Sequence, residues 1–215
     1  MREIMKSEQC QAIVLSTLDY GESDRIVSLF SLELGRIKAF AKGARASRKR
    51  FGGMLEPANR LELTLQLRHD GLSRLERVEA THCHPGLRSS LDALALALYG
   101  CELVEALTPE GHPLPRLYRL LTTLLEHLDQ GTPSEADRRF FEINLLNILG
   151  YRPPLETDAL RPLQNCLRTG RFGLVNFRDD ELAMAARLLD NAISSHTTRP
   201  LQTLAFLQDL NRPRN

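Results

Sequence analysis

The 215-residue chain has no tryptophan, only four cysteines, and no apolar run near the ~20 residues that a membrane-spanning helix needs. Each absence removes a class of protein. Without such a run, no membrane span is expected. The opening residues MREIMKSEQC lack the apolar centre of a secretory leader, so the expected location is the cytoplasm. Cys10, Cys83, Cys101 and Cys166 are scattered with no C-x-x-C pair, which reads as free thiols packing as small hydrophobes in a reducing compartment. Aromatic residues are 6% of the chain, so composition alone shows no base-stacking surface. G-x-S-x-G, H-E-x-x-H and the phosphate-cradling G-x-x-x-x-G-K are all missing, and the chain is read as a non-enzyme.

What the sequence does contain is one concentrated positive segment. Residues 36–50, RIKAFAKGARASRKR, hold seven basic side chains and no acid: Arg36, Lys38, Lys42, Arg45, Arg48, Lys49 and Arg50. Three of the four lysines fall inside it, and the net charge is +3 over residues 1–80 but −2 over 81–215. Like charges crowded together are tolerated where solvent or an anionic partner relieves them. The segment is therefore either a solvated loop or a nucleic-acid contact surface.

Residues 11–80 alternate apolar and polar with period 2. Strands are expected at about 11–18, 25–31, 36–41, 60–67 and 72–80, with turns at Gly21, Gly35 and His69-Asp70-Gly71. In the third strand Ile37, Ala39 and Ala41 face one way, and Arg36, Lys38, Phe40 and Lys42 the other. Five short strands in about 70 residues suit a small barrel. Near residue 82 the period changes to 3.6. Helices are expected to about Leu107, from Pro115 to Gly131, from a Thr132/Glu135 capping box to Gly150, over 181–193, and over about 200–210. Residues 151–178, rich in proline and glycine, read as irregular with a short strand at 172–177. The fold class is α+β, a β module over 1–81 followed by a helical module over 82–215.

Two further groups of residues carry possible chemistry. Thr81-His82-Cys83-His84 offers at most half of a zinc site, which normally takes three or four ligands, so a polar hinge is the expectation there. Arg138-Arg139 and Arg116 with Arg119 lie on helices beside apolar stripes. They read as a solvated helix face or as anchors for a short acidic-apolar peptide.

Taken in order, the segments resemble the RecO family of bacterial recombination mediators. The residues that carry the resemblance begin with Tyr20-Gly21-Glu22-Ser23-Asp24-Arg25, Phe30 and Gly35. Lys42-Gly43-Ala44-Arg45 and Leu55-Glu56-Pro57 follow. In the helical part come Tyr99 with Glu102-Leu103, Arg138-Arg139-Phe140-Phe141-Glu142, Leu145-Leu146, Leu149-Gly150-Tyr151 with Pro153, and Arg199-Pro200-Leu201-Gln202-Thr203.

The resemblance implies an N-terminal five-stranded OB-fold barrel and an all-helical C-terminal domain. It implies binding to single- and double-stranded DNA, annealing of complementary strands, and docking on the acidic C-terminal tail of single-stranded DNA-binding protein. Partnership with RecR, and beyond it RecF and RecA, and association with the nucleoid follow from the same source. The implied phosphate contacts are Arg36, Lys38, Lys42 and Arg45, with Arg48, Lys49, Arg50 and Arg25 beside them. Arg138 and Arg139, then Arg116 and Arg119, are the implied contacts for the partner tail. Many relatives carry a four-cysteine zinc module after the G-Y-x-P segment. Here residues 155–178 contain only Cys166, so no metal and no cofactor are expected. The alternative is an OB-fold RNA-binding protein with a helical interaction domain.

Overall fold

The computed structural model describes residues 7–46, 51–68 and 72–203. Five strands form a closed barrel: β1 (Ser7–Tyr20), β2 (Asp24–Ser31), β3 (Gly35–Ala41), β4 (Arg60–Gln66) and β5 (Ser73–His82). Their order around the barrel is β1-β2-β3-β5-β4, with β3 and β5 parallel and every other pair antiparallel. This is the five-stranded OB-fold barrel that the resemblance implies, and a small barrel is what the period-2 patterning predicts. Among the described residues five α-helices follow: α1 (Leu91–Leu107), α2 (Pro115–Gln130), α3 (Glu135–Leu149), α4 (Arg161–Thr169) and α5 (Asp179–His196).

The chain divides into two compact units, with the division falling inside α1 and α2. One unit is residues 1–85 with 101–118, and the other is 86–100 with 119–215. In the first, the barrel is filled by the inward residues of each strand, among them Ala12, Val14, Leu29, Ala39, Leu61 and Leu75. Phe51 and Leu55, from the segment between β3 and β4, complete this core. Asn59 holds that segment in place by donating from its amide to the Gly53 and Met54 carbonyls, at 3.1 and 3.0 Å.

Part of the barrel's outer surface is buried as well. Ile13 and Phe30 pair across β1 and β2 on the outside, and both are fully buried. Phe30 lies 6.2 Å from the Tyr118 ring, Ser16 donates to Glu105 at 3.1 Å, and the Cys101 thiol lies 3.8 Å from the Val14 carbonyl. The segment 101–118 thus covers one flank of the barrel.

β1 is not a regular strand. Val14 pairs with Leu29 but Ser16 pairs with Ser28, so Leu15 is an extra residue, a β-bulge. A bulge reverses the in–out alternation beyond it. Before it, Ala12 and Val14 point into the core; after it Thr17 pairs with the core residue Val27, and Leu18 and Tyr20 point outward.

In the second unit the capping box at the start of α3 sits two residues beyond its expected position. Ser134 is the N-cap, accepting from the Asp137 backbone N–H at 3.2 Å, while the Ser134 N–H donates to Asp137 Oδ2 at 3.0 Å. Asp137 is the residue that can close both halves of the box, and its other oxygen meets His127 at 3.0 Å. Gly150 ends α3 in the left-handed conformation expected of it.

Residues 151–178 depart from the expectation. They contain a 3-10 turn at Asp158–Leu160 and the whole of α4, while 172–177 forms no strand. Pro162 sits in the first turn, where a missing N–H costs nothing, and Leu163 and Cys166 bury one face. The helix expected over 200–210 falls mostly outside the described residues.

Candidate nucleic-acid interface

The exposed surface around β3 brings several of the expected cations onto one face. Lys38 and Phe40 point outward, as the alternation requires, while Ala39 and Ala41 are fully buried. The turn after β3 then folds back on the turn between β1 and β2. The Gly43 N–H donates to Asp24 Oδ1 at 2.6 Å, with Gly43 at φ 69°, and the Arg45 N–H donates to the Ser23 carbonyl at 2.9 Å. These two bonds hold Lys42 and Arg45, both exposed, beside the end of β3. Lys42 has no acidic partner among the described residues. Arg45 is held loosely, at 3.4 Å from Asp19 and 3.3 Å from the Gly21 carbonyl.

Arg36 and Arg25 are placed differently. Arg36 donates to the Thr108 carbonyl at 2.9 Å and to Glu110 at 3.0 Å, while its own carbonyl accepts from the Gly111 N–H at 2.8 Å. It fastens residues 108–111 to the strand, and Lys38 reaches the same Glu110 carboxylate at 3.6 Å. Arg25 bridges Asp19 at 3.0 Å and Glu56 at 3.3 Å, and the Asp19 bond holds its guanidinium charged more firmly than usual. Arg48, Lys49 and Arg50 lie outside the described residues.

One cation was invisible to pattern reasoning. The outward residues Leu18, Ile26 and Phe40 form a row across β1, β2 and β3, and Phe40 pairs with Arg74 on β5. Arg74 is exposed and extends the basic face by one strand. No cluster of charge in the sequence marks it; only the parallel β3–β5 pairing brings it there.

Arg138 and Arg139 are buried, at 4% and 3% exposure, although both were expected at a peptide-binding surface. Arg138 Nε donates to Glu142 Oε1 at 3.0 Å, and Arg139 Nη1 to Glu142 Oε2 at 2.7 Å. The Tyr99 hydroxyl donates to the same carboxylate at 2.6 Å, and the Arg138 guanidinium lies over the Tyr99 ring at 4.9 Å. Glu135 and Asp190 supply further negative charge, with Arg139 reaching them at 3.1 and 3.4 Å. Burial works against the Arg138 charge, but Glu142, Tyr99 and Glu135 together more than offset it, so the guanidinium stays protonated. Burial with Glu142 alongside pushes the Tyr99 phenol well above its ordinary value. Arg116 and Arg119, by contrast, are exposed on α2.

His82 and His84 lie with their rings 4.4 Å apart at the end of β5, with Cys83 exposed between them. Cys166, the one thiol of residues 151–178, is packed inside the helical unit, and burial pushes it up to about 12. One inert, buried thiol does not fit a site built from four thiolates.

A closed OB-type barrel with exposed cations on one face, followed by helices, places the chain in a fold class whose members bind oligonucleotides and oligosaccharides. Residues 5–84 match the family described as "Recombination protein O N terminal", and residues 88–164 match "Recombination protein O C terminal". The chain is 46% identical to a protein of Pelobacter propionicus named DNA repair protein RecO, with 96% of this chain and 98% of that protein covered. A protein of the same name in Geobacter sulfurreducens is 44% identical, with 94% and 98% covered. The chain belongs to the RecO family of DNA repair proteins. Those two matches run over 241 and 238 residues, more than the 215 of this chain, so the relatives carry residues within the matched span that are missing here. No helix of the described residues is long and apolar enough to cross a membrane.

Proposed function

We propose that this protein is a recombination mediator that binds single- and double-stranded DNA along the barrel, through Lys38, Lys42, Arg45 and Arg74. In this reading it anneals complementary strands, docks on the acidic tail of single-stranded DNA-binding protein, and acts with RecR and RecF to load RecA. It performs no covalent chemistry, and it works in the cytoplasm at the nucleoid. The barrel module serves DNA and the helical module serves protein partners. The observation that carries the reading is the pair of backbone bonds from Gly43 and Arg45, which hold two exposed cations beside Lys38 on one face. Such a face attracts phosphate without regard to sequence, and its affinity falls steeply with salt.

Arg36 and Arg25 support this face rather than supply contacts, because their guanidinium groups are already engaged with carboxylates and a carbonyl. For the partner tail, burial turns Arg138 and Arg139 into supports of the helical unit and leaves the exposed Arg116 and Arg119 as the better contacts. The residues that the relatives have and this chain lacks are accounted for if they form the four-cysteine module that residues 151–178 cannot build.

The test is a salt titration of single-stranded DNA binding by a Lys38→Ala/Lys42→Ala/Arg45→Ala variant. About 0.7 in log–log slope is released per phosphate contact on a single strand, so losing three contacts flattens the slope by about 2. Unchanged affinity and slope would overturn the proposal.

A further inference from the structure

The open face carries apolar surface that neither the core nor the charge explains. Leu18 is 64% exposed and Tyr20 is 56% exposed, and both lie on the same outward face as Ile26 and Phe40. The Tyr20 and Phe40 rings meet edge to face, with centroids 5.8 Å apart and planes at 85°. Scattered exposed apolar residues need no explanation, but a contiguous group with a fixed aromatic pair does. The group is exposed because of the Leu15 bulge, which reverses the alternation of β1 so that Leu18 and Tyr20 face solvent instead of the core. Bulges recur beside functional sites for this reason.

Lys38 stands two residues before Phe40 on β3, roughly 7 Å away along the strand, and Lys42 two residues after it, at the start of the turn that follows. A ligand that satisfies this face must offer flat apolar rings in the middle and negative charge on both sides. Unpaired nucleobases on a phosphodiester strand offer both, whereas duplex DNA keeps its base faces stacked inside. We propose that Tyr20, braced by Phe40, is a base-stacking platform through which the barrel binds single-stranded DNA more tightly than double-stranded DNA. This inference rests on the reading of the barrel as the DNA-binding module and deepens it, since the cations alone would hold any phosphate backbone.

The probes are oligothymidylate, an abasic oligonucleotide of the same length, and a blunt duplex. Tyr20→Ala lies at an exposed strand end and removes no core residue. It is expected to weaken oligothymidylate binding by about 5- to 20-fold, as loss of one stacked base does, and to leave abasic-strand binding, duplex binding and the salt slope unchanged. Tyr20→Phe retains wild-type binding. Tyr20→Trp supplies the sole tryptophan of the chain, and its emission is expected to be quenched by oligothymidylate but not by duplex.

If Tyr20→Ala binds oligothymidylate like wild type, or weakens on all three probes alike, the platform does not exist. If it leaves DNA binding intact but abolishes self-association or capture of a protein segment, the face belongs to a second copy or to a protein, and the inference fails. When the triple Lys38/Lys42/Arg45 variant still loses affinity in these cases, only the stacking inference falls. When that variant too binds like wild type, the reading of the barrel as a DNA-binding module falls with it.

Discussion

The basic segment of the barrel and the Arg138-Arg139 pair of α3 look alike in sequence, each a run of cations among apolar residues, yet they end in opposite environments. Residues 36–50 contain no acid, so Arg36, Lys38 and Arg45 meet carboxylates distant in sequence, Glu110 and Asp19, and Lys38, Lys42 and Arg45 remain exposed. Around Arg138 and Arg139, the same helix supplies Glu135 and Glu142 at spacings of three and four residues. Those spacings put acid and base on one helical face. Two buried guanidiniums then share a fully buried carboxylate, with Glu135 and Asp190 supplying the remaining negative charge and Tyr99 completing the network. Local acid density, more than the count of cations, decides whether a basic run becomes a surface or a strut.

The most forceful way to break this comparison is to remove the strut. Glu142→Ala strands two guanidiniums and a phenol in the interior, and should destabilise the protein by about 3–5 kcal/mol in urea denaturation. A change near zero would mean that the arginines reach solvent in solution, as the barrel cations do. Next in size is an alkaline effect shared by both units. Burial pushes Cys10 up to about 11 and Cys101 and Cys166 up to about 12 from 9.0. A thiol raised in the fold contributes stability that is fully present below the unfolded value and is lost as pH rises through the folded one. Stability should therefore fall from about pH 9 toward 11–12. At pH 8 a thiol reagent should label the exposed Cys83 rapidly and these three only on unfolding.

A smaller effect tests the position of the α3 cap. Ser134→Ala should cost about 1 kcal/mol, and Thr132→Ala nothing measurable. The finest test lies within the basic segment itself. Arg36→Ala, which releases residues 108–111 from the strand, should cost about 1 kcal/mol of stability and leave the salt slope of DNA binding in place. Lys42→Ala should do the reverse, with stability within about 0.5 kcal/mol of wild type and a slope shallower by about 0.7. If both variants altered the slope equally, Arg36 would have to be counted with the DNA contacts.

The barrel was legible because alternation is nearly strict from β2 to β5, and each inward residue is an aliphatic, aromatic or small side chain. The positions of Lys38 and Phe40 on the outer face followed from that alternation alone. α4 was not legible, since nine residues opening beside a proline and ending at Gly170 resemble a loop until Leu163 and Cys166 are seen to bury a face. The shifted capping box shows a different limit. Thr132 and Ser134 both fit the local pattern, and the choice falls to the tertiary partner His127, which meets Asp137. The aromatic platform was hidden twice over. Tyr20 and Phe40 are twenty residues apart in sequence, and a strict period of 2 from Ala12 and Val14 places Leu18 and Tyr20 inside the barrel.

Leu15 gives β1 a phase, much as a single inserted base gives a message its reading frame. Substitutions along 16–20 change individual letters on the outer face. A regular ladder that kept Leu15 would instead exchange the inside and outside of everything that follows, sending Tyr20 toward the core and Thr17 into solvent. Loss of Leu15 removes the extra residue and leaves both where they are. For this stretch, then, deleting Leu15 would straighten the strand and keep its outer face, where a substitution scan would report only on single contacts.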